Sequence, residues 1–186
     1  AVQYLEEGPA PSVAEYAEAV TAAVTEGCRG HGLPLPKLIV EPGRAVVARA
    51  AVALYTVGAS KDVPGVRRFV SVAGGMADNI RPPLYGSQHS ALVANKPLET
   101  RRETVTIAGR YCESGDILMR DAKLAPLAAG DILAMATAGA YALPMASNYN
   151  ASLRPAVVLV RDGEAKLARR RETYDDLMRA DVWPLE

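Results

Sequence analysis

The sequence predicts a mainly β domain that follows a short segment of α/β character. Thirteen prolines and fifteen glycines are spread along 186 residues, which indicates many turns. Valine-rich and alternating stretches recur after residue 44. Before that residue, a helix leads into a short apolar strand, the pattern of a parallel sheet or an α/β barrel. We therefore expect a boundary near residues 41–58, which divides the chain into residues 1–44 and 45–186.

The segment before residue 44 predicts one helix and one strand. Ser12 and Glu15 form an S-x-x-E capping box, in which each side chain binds the backbone N–H of the other residue. Apolar residues then recur at helical spacing, namely Val13, Ala17, Val20 and Val24, with Tyr16 on the same side. We expect Gly27 and Gly30 to end the helix and residues 38–40 (LIV) to form a short buried strand.

The part after residue 44 predicts a series of strands. They cover residues 45–59, 66–75, 104–112 and 131–137. In the third of these, Val105 and Ile107 lie on one face and the neighbouring threonines on the other. Residues 156–170 predict a hairpin with Asp162 and Gly163 as its turn, and a short helix follows in the region 172–181.

Composition argues against several classes of partner. The 21 basic and 21 acidic side chains balance, which disfavours nucleic acid or an anionic membrane. No apolar run approaches the roughly 18 residues of a membrane span, and no signal-peptide pattern opens the chain. With only two cysteines, we expect a cytoplasmic protein. His31 and His89 are isolated in the sequence, so we predict no metal site.

The motif EPGR, from Glu41 to Arg44, comes directly after the predicted strand. It combines a carboxylate, a stiff proline, a glycine that permits close backbone approach and a guanidinium. Active sites of α/β barrels are built at the carboxyl ends of their strands. A turn with a surface ion pair explains these four residues equally well.

A second candidate is the stretch GGMADNIRPPLYG, residues 74–86. Pro82 and Pro83 follow Arg81, so a helix here must start at that point rather than continue through it. A planar guanidinium suits a carboxylate ligand. Taken alone, such a stretch is more often an irregular surface loop.

The third candidate is Cys112, followed by Glu113. Neighbours in a strand point to opposite faces, so both can serve one site only where the strand ends or bulges; Ser114 and Gly115 favour that. A nearby carboxylate raises a thiol pKa from its reference of about 8.5, which suits a proton donor better than a nucleophile. The alternative is a buried structural cysteine.

The fourth candidate is the stretch AGAYALPMASNYN, residues 138–150, which contains the motif GAY at residues 139–141. Gly139 allows Tyr141 to sit at a tight turn from strand to helix, where a phenol and backbone N–H groups suit a phosphate. A tyrosine that caps the end of a core strand is the alternative.

The four motifs in this order resemble the carboxyl-terminal part of the diaminopimelate decarboxylases, enzymes of the alanine-racemase-like fold type III that depend on pyridoxal 5'-phosphate. The resemblance runs from about residue 38 to the end. EPGR and GAY are shared with ornithine and arginine decarboxylases, whereas CESGD and RPPLYG are forms typical of the diaminopimelate enzymes. It implies the last part of a TIM barrel in residues 1–44 and a Greek-key β-barrel or sandwich in residues 45–186.

The resemblance also implies a role for each motif residue. Glu41 would pair with the pyridine nitrogen of the cofactor, Gly43 would contact its phosphate, and Tyr141 would contact phosphate and substrate. Arg44 would contact either the phosphate or the substrate.

For the substrate, the resemblance implies that Arg81 and Tyr85 hold its distal end and Glu113 its distal ammonium. Cys112 would return a proton to the α-carbon after CO2 leaves. The reaction implied is decarboxylation of meso-2,6-diaminopimelate to L-lysine, in a homodimer whose Cys112 and Glu113 serve the partner's cofactor.

One family feature is missing from the sequence. The Schiff-base lysine lies early in the family's barrel, and none of the chain's lysines stands in a matching motif. We therefore expect this chain to be a fragment that is inactive alone. Two alternatives stay open: a related decarboxylase of ornithine or arginine, and a non-catalytic homologue that binds a partner.

Overall fold

A computed structural model of the chain describes residue 2 and residues 10–182. Helix α1 spans Val13–Gly30. Its predicted capping box is confirmed, because the Ser12 N–H donates to Glu15 Oε2 at 2.7 Å and the Glu15 N–H to Ser12 Oγ at 3.2 Å. The helix runs through Gly27 and ends at Gly30, and none of its residues is buried.

The prediction of a buried strand at residues 38–40 is wrong. These residues adopt no regular secondary structure, and their side chains are exposed. A strand needs a neighbour to accept and donate its backbone hydrogen bonds, and none of the described strands pairs with this segment.

The valine-rich stretch after residue 44 starts as helix rather than strand. Helix α2 spans Gly43–Val47, a 3₁₀ turn covers Ala48–Ala50, and strand β1 begins only at Ala53. The carbonyl of Ala48 accepts a hydrogen bond from Gly139 N–H at 2.9 Å. This contact with a distant loop holds the turn and outweighs the strand preference of valine.

The main body is one six-stranded sheet, which confirms the mainly β fold. Its strands are β1 (Ala53–Val63), β2 (Arg67–Val72), β3 (Ala91–Val93), β4 (Glu103–Ala108), β5 (Ile117–Leu124) and β6 (Ile132–Met135). Their order is β3-β6-β1-β2-β4-β5. The β2–β4 pair is parallel and the others are antiparallel. The edge strands β3 and β5 contact each other, so the sheet curls almost into a barrel.

The core lies inside this curled sheet. Its largest fully buried apolar side chains are Val70, Val93, Val105, Ile107, Leu118, Leu124, Leu133 and Met135. The predicted inward face of β4 is therefore confirmed. Thr106, on the opposite face, is buried as well, and its hydroxyl accepts a hydrogen bond from Arg67 Nη1 at 3.4 Å.

A separate hairpin and a last helix follow the sheet. Strands β7 (Val157–Arg161) and β8 (Glu164–Arg169) pair antiparallel, and a last short helix spans Tyr174–Met178, as the sequence predicts. Asp162 and Gly163 have φ of 51° and 81°, the positive values that a type I′ turn requires. Among the described residues, no helix has the length and apolar character of a membrane span.

Candidate active site

An arginine lies between two tyrosine rings beside the sheet. Helix α3 spans Arg81–Tyr85 and begins at the arginine, as the two following prolines predict. The guanidinium carbon of Arg81 lies 5.3 Å from the ring centre of Tyr85 and 5.2 Å from that of Tyr141. Both distances are typical of cation–π contacts. Arg81 Nε is buried and has no hydrogen-bond partner among the described residues. We call these three residues the arginine–tyrosine group.

Tyr141 reaches this group through a turn that needs the preceding glycine. It has φ of 61° and lies between strand β6 and a 3₁₀ turn at Leu143–Met145. A Cβ on Gly139 would lie 1.9 Å from the carbonyl oxygen of Val47, a distance that no side chain can adopt. The close contact with the end of α2 therefore requires glycine, and it ties the GAY motif to EPGR.

The EPGR motif stands at the other end of α2. Gly43 is the first residue of the helix, and its N–H donates to the Glu41 carbonyl at 3.0 Å. Glu41 and Arg44 are exposed. A Cβ on Gly43 would meet no described atom within 4 Å, so its backbone is open to approach. The two motifs thus lie at opposite ends of one short helix.

Cys112 and Glu113 meet in the loop after β4. Strand β4 ends at Ala108, before the pair. The prediction that the strand ends before Cys112 and Glu113, so that both side chains can face one site, is therefore confirmed. Cys112 Sγ lies 3.6 Å from Glu113 Oε1. The Cys112 residue is exposed, so the alternative of a buried structural cysteine is wrong. We call these two residues the thiol–carboxylate pair.

Two residues that sequence reasoning missed also contact this pair. The hydroxyl of Tyr149 donates a hydrogen bond to Glu113 Oε1. The Asn150 side-chain amide lies 3.9 Å from Cys112 Sγ. Glu113 Oε2 is buried and has no hydrogen-bond partner among the described residues. Both residues lie at the end of the stretch 138–150, which the sequence analysis singled out without giving either of them a role.

A buried carboxylate, Asp116, holds the loop that carries the pair. It accepts hydrogen bonds from Met76 N–H at 2.7 Å and from Tyr111 N–H at 3.0 Å. A Cβ on Gly75 or Gly109 would lie 2.5 or 2.0 Å from Asp116 Oδ2, so both glycines are needed. Burial raises the pKa of Asp116, while the two N–H groups lower it.

Two segments of the chain, residues 73–86 and 138–152, support both groups of candidate residues. The segments are hydrogen-bonded to each other, because Ser147 N–H donates to the Ala77 carbonyl at 2.9 Å. The first segment carries Arg81 and also supports Asp116; the second carries Tyr141 and also Tyr149. Within the described part of the chain, no hydrogen bond, ion pair or ring contact joins the arginine–tyrosine group directly to the thiol–carboxylate pair.

His89, which the sequence left isolated, lies near the arginine–tyrosine group. The residue is buried, and its Nδ1 lies 2.9 Å from the carbonyl oxygen of Ala136, which can only accept a hydrogen bond, so Nδ1 is the donor. Burial lowers the pKa of His89, and the charge of Arg81 lowers it further. In the described ranges, no cluster of three or more His, Cys, Asp or Glu side chains is placed to hold a metal ion.

Comparison with known proteins places this geometry in a family. Residues 39–139 match the family model described as pyridoxal-dependent decarboxylase, C-terminal sheet domain. The chain belongs to this decarboxylase family. The match covers α2, the whole six-stranded sheet and the thiol–carboxylate pair, and it ends at Gly139.

Two similar relatives of this chain are named diaminopimelate decarboxylase. The chain is 46% identical to a diaminopimelate decarboxylase from Bacillus subtilis, over 97% of the chain and 41% of the relative. It is 48% identical to one from Synechocystis sp., over 97% of the chain and 39% of the relative. The chain therefore spans about two fifths of the length of these curated relatives.

A solved structure shares the fold of the decarboxylase domain. It is a diaminopimelate decarboxylase from M. jannaschii in complex with L-lysine, with a TM-score of 0.83 and 36% sequence identity. The similarity covers 97% of this chain and 41% of that one. The mainly β architecture is thus that of the family's C-terminal sheet domain.

Proposed function

We propose that the protein carrying this chain is a carboxy-lyase that converts meso-2,6-diaminopimelate to L-lysine and CO2, the last step of lysine biosynthesis. The observation that carries the proposal is the thiol–carboxylate pair, with Cys112 Sγ 3.6 Å from Glu113 Oε1, in a domain whose relatives bear the name diaminopimelate decarboxylase. The chain contributes the sheet domain of that enzyme, and residues 1–44 contribute the last part of its barrel.

Four residues are proposed to hold pyridoxal phosphate, which supplies an electron sink for decarboxylation next to an amino group. Glu41 would pair with the pyridine nitrogen, Gly43 would offer its backbone to the phosphate, and Arg44 and Tyr141 would bind the phosphate. The donor set fits the cofactor, because it combines an exposed carboxylate and guanidinium with a phenol. The contact of Gly139 with the end of α2 supports a common site for both motifs.

The substrate's distal end carries both a carboxylate and an ammonium, and the chain offers a partner for each. Arg81 and Tyr85 bind the carboxylate, since a planar guanidinium matches its geometry. The buried, unpartnered Nε of Arg81 supports this role. Glu113 binds the ammonium through Oε2, which is likewise buried and unpartnered. A buried charged atom without a partner carries a desolvation cost that a bound ligand removes.

Cys112 is proposed as the general acid. When the bond between the α-carbon and the carboxylate breaks, CO2 leaves and the Sγ–H proton moves to the carbon. Solvent then returns a proton to the sulfur, which is exposed. Arg44 and Tyr141 serve substrate binding as well as the cofactor.

The active enzyme is proposed to be a cytoplasmic, isologous homodimer. Among the described residues, no direct contact joins the arginine–tyrosine group to the thiol–carboxylate pair. A two-fold axis can bring the pair of one subunit to the cofactor residues of the other, which completes two equal sites.

Substitution of the two cysteines tests the function. In the full-length protein, we expect Cys112→Ala to lower the rate of lysine formation from meso-diaminopimelate by about 10²–10⁴-fold, which is the contribution of a general acid. Cys28→Ala is the matched control, because Cys28 lies on α1, and it should keep full activity. Faster turnover of ornithine or arginine by the unsubstituted protein would overturn the choice of substrate.

A further inference from the structure

We propose that Tyr149 is a positioning residue that determines specificity: its phenol binds Glu113 Oε1 and thereby reserves Oε2 for the substrate's distal ammonium. This inference rests on the proposed function, and in particular on the role of Glu113. Tyr149 lies in the sequence stretch 138–150, but neither the pattern of that stretch nor the family resemblance gives it a role.

The two oxygens of Glu113 have different surroundings. Oε1 accepts the hydrogen bond from Tyr149 and lies 3.6 Å from Cys112 Sγ. Oε2 is buried and has no partner among the described residues. With its first oxygen engaged by the Tyr149 hydroxyl, the carboxylate presents one open oxygen. A cationic hydrogen-bond donor is the ligand that such an atom favours most.

The position of the phenol is fixed by its own loop. The ring of Tyr149 packs edge-on against Tyr111, with 5.6 Å between ring centres and 75° between planes. Tyr111 in turn donates from its hydroxyl to Ser152 Oγ at 2.8 Å, and Ser152 N–H donates to the Tyr149 carbonyl at 3.1 Å. This closed set of contacts leaves the phenol little freedom, so Glu113 is held before a ligand arrives.

The turn that carries Tyr149 has a strained backbone, and it brings side chains to the thiol–carboxylate pair. It spans Tyr149–Ala151, and Asn150 and Ala151 have φ of 50° and 55°. Alanine adopts the left-handed region only at a cost in energy. The same turn brings Asn150 Nδ2 to 3.9 Å from Cys112 Sγ. One strained turn therefore contacts both members of the thiol–carboxylate pair.

Comparison of two ligands, L-lysine and 6-aminohexanoate, isolates the contribution of the distal ammonium to binding. In the proposed reaction the product keeps the L centre of the substrate, so its α-ammonium and α-carboxylate form the distal end. 6-Aminohexanoate has the same chain, amine and carboxylate and lacks only that ammonium. The ratio of the two dissociation constants therefore reports the contribution of Glu113 Oε2.

The experiment measures that ratio in the full-length protein loaded with pyridoxal phosphate. We expect Tyr149→Phe to weaken L-lysine binding about tenfold and to leave 6-aminohexanoate binding within about twofold, which is the scale of one hydrogen bond to a charged group. Tyr174→Phe is the matched control, because it removes the hydroxyl of an exposed tyrosine on the last helix, outside the loop of Tyr149. It should leave the ratio unchanged.

The outcomes distinguish this inference from the function on which it rests. An unchanged ratio in Tyr149→Phe, or an equal weakening of both ligands, would overturn the role of Tyr149. A wild-type protein that binds both ligands equally would overturn it too, together with the role of Glu113. The function itself is decided separately, by lysine formation from meso-diaminopimelate. Thermal unfolding of each variant identifies a change that merely disturbs the fold.

Discussion

The Tyr111 N–H donates a hydrogen bond to Asp116 Oδ2 at 3.0 Å. This bond holds the loop that contains Cys112, the residue after Tyr111. The other oxygen of Asp116 accepts from Met76 N–H at 2.7 Å. One buried carboxylate therefore links the loop of the thiol–carboxylate pair to the stretch that leads to Arg81. The two groups of the proposed site are held by one internal anchor rather than by direct contact.

The anchor can be tested with Asp116→Asn. An amide has only one acceptor oxygen, so one of the two part-buried N–H groups loses its partner, at a cost of about 1–3 kcal/mol. We expect a clear fall in the midpoint of denaturant unfolding of the full-length protein. The same change at the exposed turn residue Asp162 should have no measurable effect. Equal midpoints for both variants would contradict the anchor.

The tight contact between the GAY motif and α2 makes a second prediction. A Cβ on Gly139 would lie 1.9 Å from Val47 O, and the atom it meets is backbone, which cannot move aside cheaply. Gly139→Ala should therefore destabilise the protein by more than about 2 kcal/mol and weaken cofactor binding. Thermal unfolding and pyridoxal phosphate absorbance measure the two effects.

Gly27→Ala is the matched control for that substitution. Gly27 lies inside α1, where a Cβ would meet nothing within 4 Å. Alanine is favoured over glycine in a helix by about 0.5–1 kcal/mol, so this variant should be slightly more stable than the wild type. If Gly139→Ala behaved in the same way, the close approach of the two segments would be contradicted.

The salt bridge between Lys96 and Asp131 gives a prediction for pH. Lys96 Nζ lies 2.7 Å from Asp131 Oδ2, and Asn95 and the Ala128 N–H also donate to this carboxylate. The hydrogen bond from Lys96, followed by that from Asn95, lowers the pKa of Asp131 from 3.8 to about 2. The stabilisation is therefore complete above about pH 4 and is lost as the pH falls towards 2.

Lys96→Met should remove part of that pH dependence. The variant should be less stable than the wild type above pH 4, and the difference should shrink between about pH 4 and 2. Lys166→Met serves as the control, since the Lys166–Glu164 pair is exposed and pairs of that kind contribute little. Thermal unfolding across this range measures both. Parallel curves for wild type and Lys96→Met would contradict the role of Asp131.

Local signals in the sequence predicted the local features of the fold. The capping box of Ser12 and Glu15 and the turn at Asp162 and Gly163 both rest on contacts within a few residues, and both are confirmed. Strand β5 was missed because Arg120, Asp121 and Lys123 interrupt its apolar alternation, and Asp121 has φ of 52°. The short strand β3 was missed as well, since three residues carry little pattern.

The candidate site likewise contains residues that a local motif predicted and residues that only the folded chain brings to it. Cys112 and Glu113 are neighbours in the chain, and the motif around them was sufficient to find them. Tyr149 is 36 residues from Glu113 and Asn150 is 38 from Cys112, so their contacts exist only in the folded chain. The strand expected at residues 38–40 failed for a related reason, because strand formation depends on a partner that local pattern does not specify.

Mixing of two inactive variants tests the central claim most directly. In the full-length protein, Cys112→Ala removes the proposed acid and Glu41→Ala removes a cofactor residue, so each homodimer should be inactive. A mixed dimer would hold one complete site, since Cys112 of one subunit serves the cofactor of the other. We predict that unfolding and refolding the two together restores about a quarter of wild-type lysine formation, the value for random pairing in a two-fold dimer. No recovery from properly refolded mixed dimers would contradict the shared site.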